Sequence, residues 1–94
     1  MAVKIFSGRA TTYLAEKIAH AYGDELGAVD YQQFSDGEMS PFIGESVRGH
    51  DVFIVQSTFA PAENFMELLL MIDAVKRASS SNINVIIPYF GYAR

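Results

Sequence analysis

Phe34, Asp36 and Glu38 stand close together in the run Phe34-Ser35-Asp36-Gly37-Glu38. An aromatic ring beside two carboxylates suits an adenine-like base. The ring stacks on the base face, and the carboxylates accept hydrogen bonds from an amino group. The same run has a plainer reading. Asp-Gly is a strong turn signal, because glycine takes positive φ without steric cost, so the run is also a hairpin tip. On spacing alone the hairpin tip is preferred.

A second group is Ser46 and Arg48, in the loop Glu45-Ser46-Val47-Arg48-Gly49. Guanidinium and hydroxyl both donate hydrogen bonds, which is what a phosphate requires. Ser79, Ser80 and Ser81 would complete an anion site if they faced Arg48. A lone loop arginine is more often a solvated charge. Asp73 and Arg77, four apart on a helix, read as an exposed pair worth about 0.3–0.5 kcal/mol rather than as catalytic groups. His20 and His50 have no acidic or histidine companion at metal-ligand spacing. Walker A, GxGxxG, HExxH and GxSxG patterns are all missing from the chain, and no nucleophile is paired with a base.

The elements that must position these residues follow from hydrophobic patterning. Val3 to Phe6 predicts a strand and Ser7-Gly8 a turn. A helix follows, capped by Thr11 or Thr12, with Tyr13, Leu14, Ile18, Ala19 and Tyr22 as its apolar stripe and Gly23 as its stop. Val29 to Phe34 reads as a weakly alternating strand near a sheet edge, returning through Phe42, Ile43 and Gly44. Asp51 to Ser57 and Asn84 to Pro88 are apolar enough for central parallel strands covered on both faces. Between them a helix starts at Glu63 or Asn64 and ends at the serine run, with Phe65, Leu68, Leu69, Ile72 and Val75 as its buried stripe. Met66, Leu70 and Met71 make that helix apolar on more than one face, which predicts a sheet on one side and a partner chain on the other. Tyr89 to Arg94 leave the C-terminal end of the last strand, the edge where open α/β sheets bind ligands.

Ninety-four residues, half of them hydrophobic, suit one α/β domain with a real core. A net charge of −4 argues against a nucleic-acid partner. With no cysteine there is neither a disulfide frame nor a thiolate metal site, which is compatible with the cytoplasm. No apolar run has membrane-spanning length, and the N-terminus lacks a signal-peptide pattern.

Four blocks then carry a resemblance: Phe34–Glu38 (FSDGE), Ile43–Ser57 (IGESVRGHDVFIVQS), Met66–Ser79 (MELLLMIDAVKRAS) and Val85–Arg94 (VIIPYFGYAR). In this order they closely resemble the N-terminal part of the ribose-phosphate pyrophosphokinases, also called phosphoribosyl pyrophosphate synthetases. The resemblance implies a type I phosphoribosyltransferase-like, Rossmann-like fold: a mostly parallel sheet flanked by helices, with a small β-hairpin. Residues 1–94 would be the N-terminal part of the first of two such domains.

The implied reaction moves the β,γ-diphosphoryl group of ATP to the C1 hydroxyl of ribose 5-phosphate, with Mg²⁺, giving AMP and phosphoribosyl diphosphate. By motif, Phe34 is expected to stack on adenine and Asp36 and Glu38 to bond its amino edge, reaching into a neighbouring subunit of a homo-oligomer, a hexamer in the family. Arg94 matches an arginine that contacts the nucleotide. Ser46, Arg48 and Ser79 match a regulatory site for phosphate or ADP. The family's metal-binding histidine, catalytic lysine and arginine, ribose-phosphate loop and diphosphate loop have no counterpart here. No catalytic residue and no metal ligand is therefore expected in these residues, and the chain is expected to be an incomplete domain, inactive alone. A non-catalytic associated subunit of the same family is the alternative, and an unrelated nucleotide-binding α/β domain would need a phosphate-cradling glycine loop that the sequence lacks.

Overall fold

Ile5 and Phe6 are adjacent in one strand and point to opposite faces of a sheet, and the layering of the molecule follows from that alternation. A computed structural model describes residues 2–93. In chain order the elements are β1 (Val3–Ser7), a short 3-10 turn (Arg9–Thr11), α1 (Thr12–Tyr22), β2 (Val29–Gln33), β3 (Met39–Ile43), β4 (Asp51–Val55), α2 (Glu63–Arg77) and β5 (Asn82–Ile86). β1, β4 and β5 form a parallel sheet in the order β1-β4-β5, with Val3 opposite Asp51 and Val52 opposite Ile83. β2 and β3 form a separate antiparallel hairpin, with Val29 opposite Ile43 and Gln33 opposite Met39.

On one face of the parallel sheet Phe6, Val52 and Ile54 pack with Leu68, Met71 and Val75 of α2 and with Val47. On the other face Ile5 and Val55 pack against Ala15 and Ala19 of α1. Each large aliphatic side chain so buried contributes about 1.5–3 kcal/mol of transfer free energy. The predicted class, a mostly parallel sheet flanked by helices with a small hairpin, is the observed one.

Several local expectations need correction. Among the described residues β5 pairs on one side only, with β4, which lies between it and β1, and Val85 is 36% exposed. Its apolar sequence suggests cover on both faces, but no described residue pairs with its outer side. It also starts earlier than predicted, because the Asn82 amide donates to Asp51 Oδ1 at 2.6 Å and pairs the two strand beginnings. On α1 the buried line is Ala15 and Ala19, while Tyr13, Leu14 and Tyr22 lie in solvent. The small alanines let the helix sit close to the sheet, and the bulkier residues are turned away from it.

On α2, Glu67 and Met71 join Leu68 and Val75 in the buried line, and Leu69 is 45% exposed. The threonine hydroxyls do not cap α1. Thr11 donates to the Val55 carbonyl at 3.0 Å and Thr12 to the Gly8 carbonyl at 3.3 Å, since the 3-10 turn places them over strand ends instead. Gly23 does stop α1, at φ +92°. Asp73 and Arg77 form the expected exposed pair, at 3.0 Å.

Candidate functional site: the hairpin tip and its anchor

The hairpin closes by main-chain bonds that its sequence dictates. Phe34 N–H donates to the Glu38 carbonyl at 2.8 Å, and Gly37 N–H donates to the Phe34 carbonyl at 2.9 Å. Gly37 sits at φ +92° with open space where a Cβ would be, so the backbone angle, not crowding, requires glycine. Asp36 Oδ1 accepts the Glu38 N–H at 3.0 Å, which folds the loop over itself. Phe34 is 54% exposed, and Asp36 and Glu38 are exposed, with no ion pair to either carboxylate among the described residues. The turn reading and the projecting-loop reading are thus the same object: the turn thrusts ring and carboxylates into solvent. Beneath the tip, Gly37, Glu38 and Met39 face Ala62, Glu63 and Met66 across a groove of about 470 Å³.

Behind the tip lies a cluster that the sequence reading overlooked. Glu67 of α2 is 3% exposed, and its two oxygens take the Arg9 backbone N–H at 2.6 Å and the guanidinium Nε at 2.8 Å, with Nη2 also at 2.8 Å. The same guanidinium lies over the Tyr31 ring, 5.2 Å from its centroid, and contacts Met39 Sδ at 3.4 Å. The Tyr31 hydroxyl donates to the Ser7 carbonyl at the end of β1. The available signal was a carboxylate on the apolar line Glu67, Met71, Val75, four residues apart: an acid there must be paired. Nearby, the buried Gln56 side chain accepts from Ala10 N–H and donates to the Asn64 carbonyl, each at 3.2 Å, joining the turn after β1 to the start of α2. Gly8 is needed there, since a Cβ would fall 2.1 Å from Gln56 Oε1.

Burial pushes the Tyr31 phenol up to about 12, reinforced by the Glu67 charge and opposed by Arg9. The folded value lies above the ordinary one near 10, so the protonated phenol is what folding favours. Its contribution is complete below about pH 10 and is lost as pH rises toward 12. A urea midpoint that falls across that window, with the fall reduced in Tyr31→Phe, is the expected result. Equal slopes in both proteins would contradict it.

At the C-terminal edge of the parallel sheet, the segment after β5 is strapped to the loop after β4. Thr58 N–H donates to the Tyr89 carbonyl at 2.9 Å, and the Thr58 hydroxyl donates to the Gly91 carbonyl at 3.1 Å. Phe59, Tyr89, Phe90 and Tyr92 line an aromatic recess of about 230 Å³ there. Arg94, the expected nucleotide contact, lies outside the described residues.

The Arg48–His50 turn does meet the serine loop, through Gly49 N–H to the Ser79 carbonyl at 3.0 Å and Ser81 N–H to the His50 carbonyl at 2.8 Å. Ser46, Arg48 and Ser79 are all exposed, and Ser79 takes φ +65° to make that approach. The backbone bonds bring the two loops together; Ser46 stands two residues before Arg48 on the same loop. No group of three or more histidines, cysteines or carboxylates among the described residues is placed to hold a metal ion, and no described helix is long and apolar enough to cross a membrane.

Comparison with known proteins gives a consistent match. The model of the N-terminal domain of ribose phosphate pyrophosphokinase matches residues 3–94. The ribose-phosphate pyrophosphokinase of Fusobacterium nucleatum is 59% identical over 93 residues, 98% of this chain and 29% of that protein. That of Thermotoga maritima is 55% identical over 93 residues, again 98% of this chain and 30% of the relative. Among solved structures, phosphoribosylpyrophosphate synthetase from Mycobacterium smegmatis superposes with a TM-score of 0.92 at 40% identity, covering 100% of this chain and 32% of that one. The chain therefore spans about three-tenths of the length of the curated relatives it matches.

Proposed function

Because the chain belongs to the family of N-terminal domains of ribose phosphate pyrophosphokinase, we propose that it supplies the base-gripping and assembly part of a ribose-phosphate diphosphokinase. In that reading the whole enzyme transfers the β,γ-diphosphoryl group of ATP to the C1 hydroxyl of ribose 5-phosphate in nucleotide biosynthesis, in the cytoplasm. The observation that carries it is the exposed hairpin tip, where an aromatic ring and two carboxylates with no ion pair among the described residues project together. Phe34 stacks on adenine, and Asp36 and Glu38 accept from its amino group. A guanine would set a carbonyl oxygen against those carboxylates, so the same residues discriminate between purines.

The carboxylates also repel phosphates, so the polyphosphate runs away from the tip toward cationic groups. Arg94 is one such group in this reading. Mg²⁺ supplies charge neutralisation on the polyphosphate, and in this reading its ligands belong to other parts of the whole enzyme. Exposed Phe42 on β3 and Met66 and Leu69 on α2 form subunit contacts of a homo-oligomer. Ser46, Arg48 and Ser79 hold a regulatory phosphate or ADP at the junction of the two loops.

For diphosphoryl transfer the protein positions the reactants and neutralises developing charge. These residues do the first of those tasks for the base. The test is release of AMP from ATP with Mg²⁺ and ribose 5-phosphate. The complete protein carrying this sequence is expected to turn over, and the isolated 94-residue chain is not. Clear turnover by the isolated chain, or none by the complete protein, overturns the proposal.

A further inference from the structure

A two-stranded hairpin is marginal on its own and must be held by what it touches. Here the two ends of the hairpin are held differently. The open end is fixed by Glu45, which accepts the Ala28 N–H at 2.7 Å and pairs with Lys4 of β1. Toward the tip, the polar attachments are those of Tyr31 and Met39 to the β1 end. Met39 is the residue next to Glu38, so the Arg9 guanidinium sits at the last anchored position before the loop projects. Glu67 in turn fixes Arg9 from a buried site on α2 by two hydrogen bonds and an ion-pair contact with Nη2, while the Arg9 side chain is 46% exposed. A helix, a strand end and both hairpin strands thus meet at one guanidinium.

We propose that Arg9 and Glu67, with Tyr31, are positioning residues for nucleobase recognition: they set the angle at which Phe34, Asp36 and Glu38 are presented. This rests on the reading of the hairpin tip given above. The guanidinium is suited to the task because Nε and Nη2 converge on Glu67 Oε2 while the Arg9 backbone N–H holds Oε1, so both the side chain and the main chain of Arg9 are fixed in direction. A carboxylate buried on a helix gives that fork a rigid base.

The experiment compares Glu67→Gln, Arg9→Lys and Tyr31→Phe in the complete enzyme, with Phe34→Ala as reference. The readouts are KM for ATP, KM for ribose 5-phosphate, kcat, and preference for ATP over GTP. A loosened tip is expected to raise KM for ATP roughly tenfold and to erode the ATP preference, because small misplacements of binding groups are costly. KM for ribose 5-phosphate is expected to stay where it was.

Tyr31→Phe keeps the ion pair and removes only the tether to Ser7, so it reads the effect even where the charge variants fold poorly. A purely structural role would lower thermal stability and the active fraction while leaving KM for ATP and base preference unchanged in all three variants, and that result overturns the proposal. If Phe34→Ala also leaves KM for ATP unchanged, the parent reading of the hairpin falls instead.

Discussion

Replacing Phe34 by alanine in the complete enzyme is expected to raise the KM for ATP roughly tenfold to hundredfold while leaving the fold intact. The magnitude follows from base–aromatic stacking, worth about 1–3 kcal/mol per base on alanine substitution. The fold survives because the hairpin turn closes through backbone bonds of Phe34, Gly37 and Glu38, none of which involves the ring. The ring is more than half exposed, so truncating it opens no cavity.

Phe34→Tyr keeps the stacking face and is expected to retain most of the affinity. Asp36→Asn and Glu38→Gln each keep one carbonyl oxygen as acceptor, so each alone has a smaller effect on ATP than on the rejection of GTP. Steady-state kinetics with both nucleotides separates these effects. An unchanged KM for ATP in the alanine variant would remove the hairpin from the site.

The second large effect is on stability. Arg9→Ala is expected to lower the free energy of unfolding by about 3 kcal/mol, and Glu67→Ala by less. Removing one partner of a fully buried ion pair costs about 3–5 kcal/mol, and this pair, buried at Glu67 but half exposed at Arg9, falls at the lower end. The two ends are not equivalent here. Glu67 is 3% exposed behind Arg9, so truncating Arg9 leaves its carboxylate in a recess with only the water that fits there, whereas a freed Arg9, already 46% exposed, turns outward and is solvated. The Arg9 backbone N–H still donates to Glu67 Oε1 in the alanine variant, which keeps the cost at the lower end of that range. Replacing both residues with apolar ones of similar volume is expected to restore much of the loss. Urea unfolding of the single and double variants measures the order, and a Glu67→Ala variant less stable than Arg9→Ala would show that the buried charge is not the dominant cost.

The amino-acid sequence alone determined what depends on neighbours along the chain. The strand at Val3, the strand at Asp51, the long helix from Glu63, the Gly23 stop and the Gly37 turn all follow from short-range rules, and all are observed. The blocks from Phe34 to Glu38 and from Ile43 to Ser57 also carried the family, since several ordered segments are far more specific than any single motif. What the sequence left open depends on partners distant along the chain.

The apolar run of β5 does not say which strand it pairs with, and only the tertiary structure set it beside β4 rather than β1. The stripe read for α1 held one alanine, Ala19, among bulkier residues, and only packing added Ala15 and turned Tyr13, Leu14 and Tyr22 outward. The hairpin's detachment from the parallel sheet is likewise invisible in its own residues. Arg9 and Glu67 lie 58 positions apart, and although Glu67 shares an apolar line with Met71 and Val75, nothing in its neighbours along the chain names Arg9 as its cation. Tertiary structure turned them into a pair, because folding brings α2 across the end of β1 and the low-dielectric interior does not tolerate a carboxylate without a cation beside it.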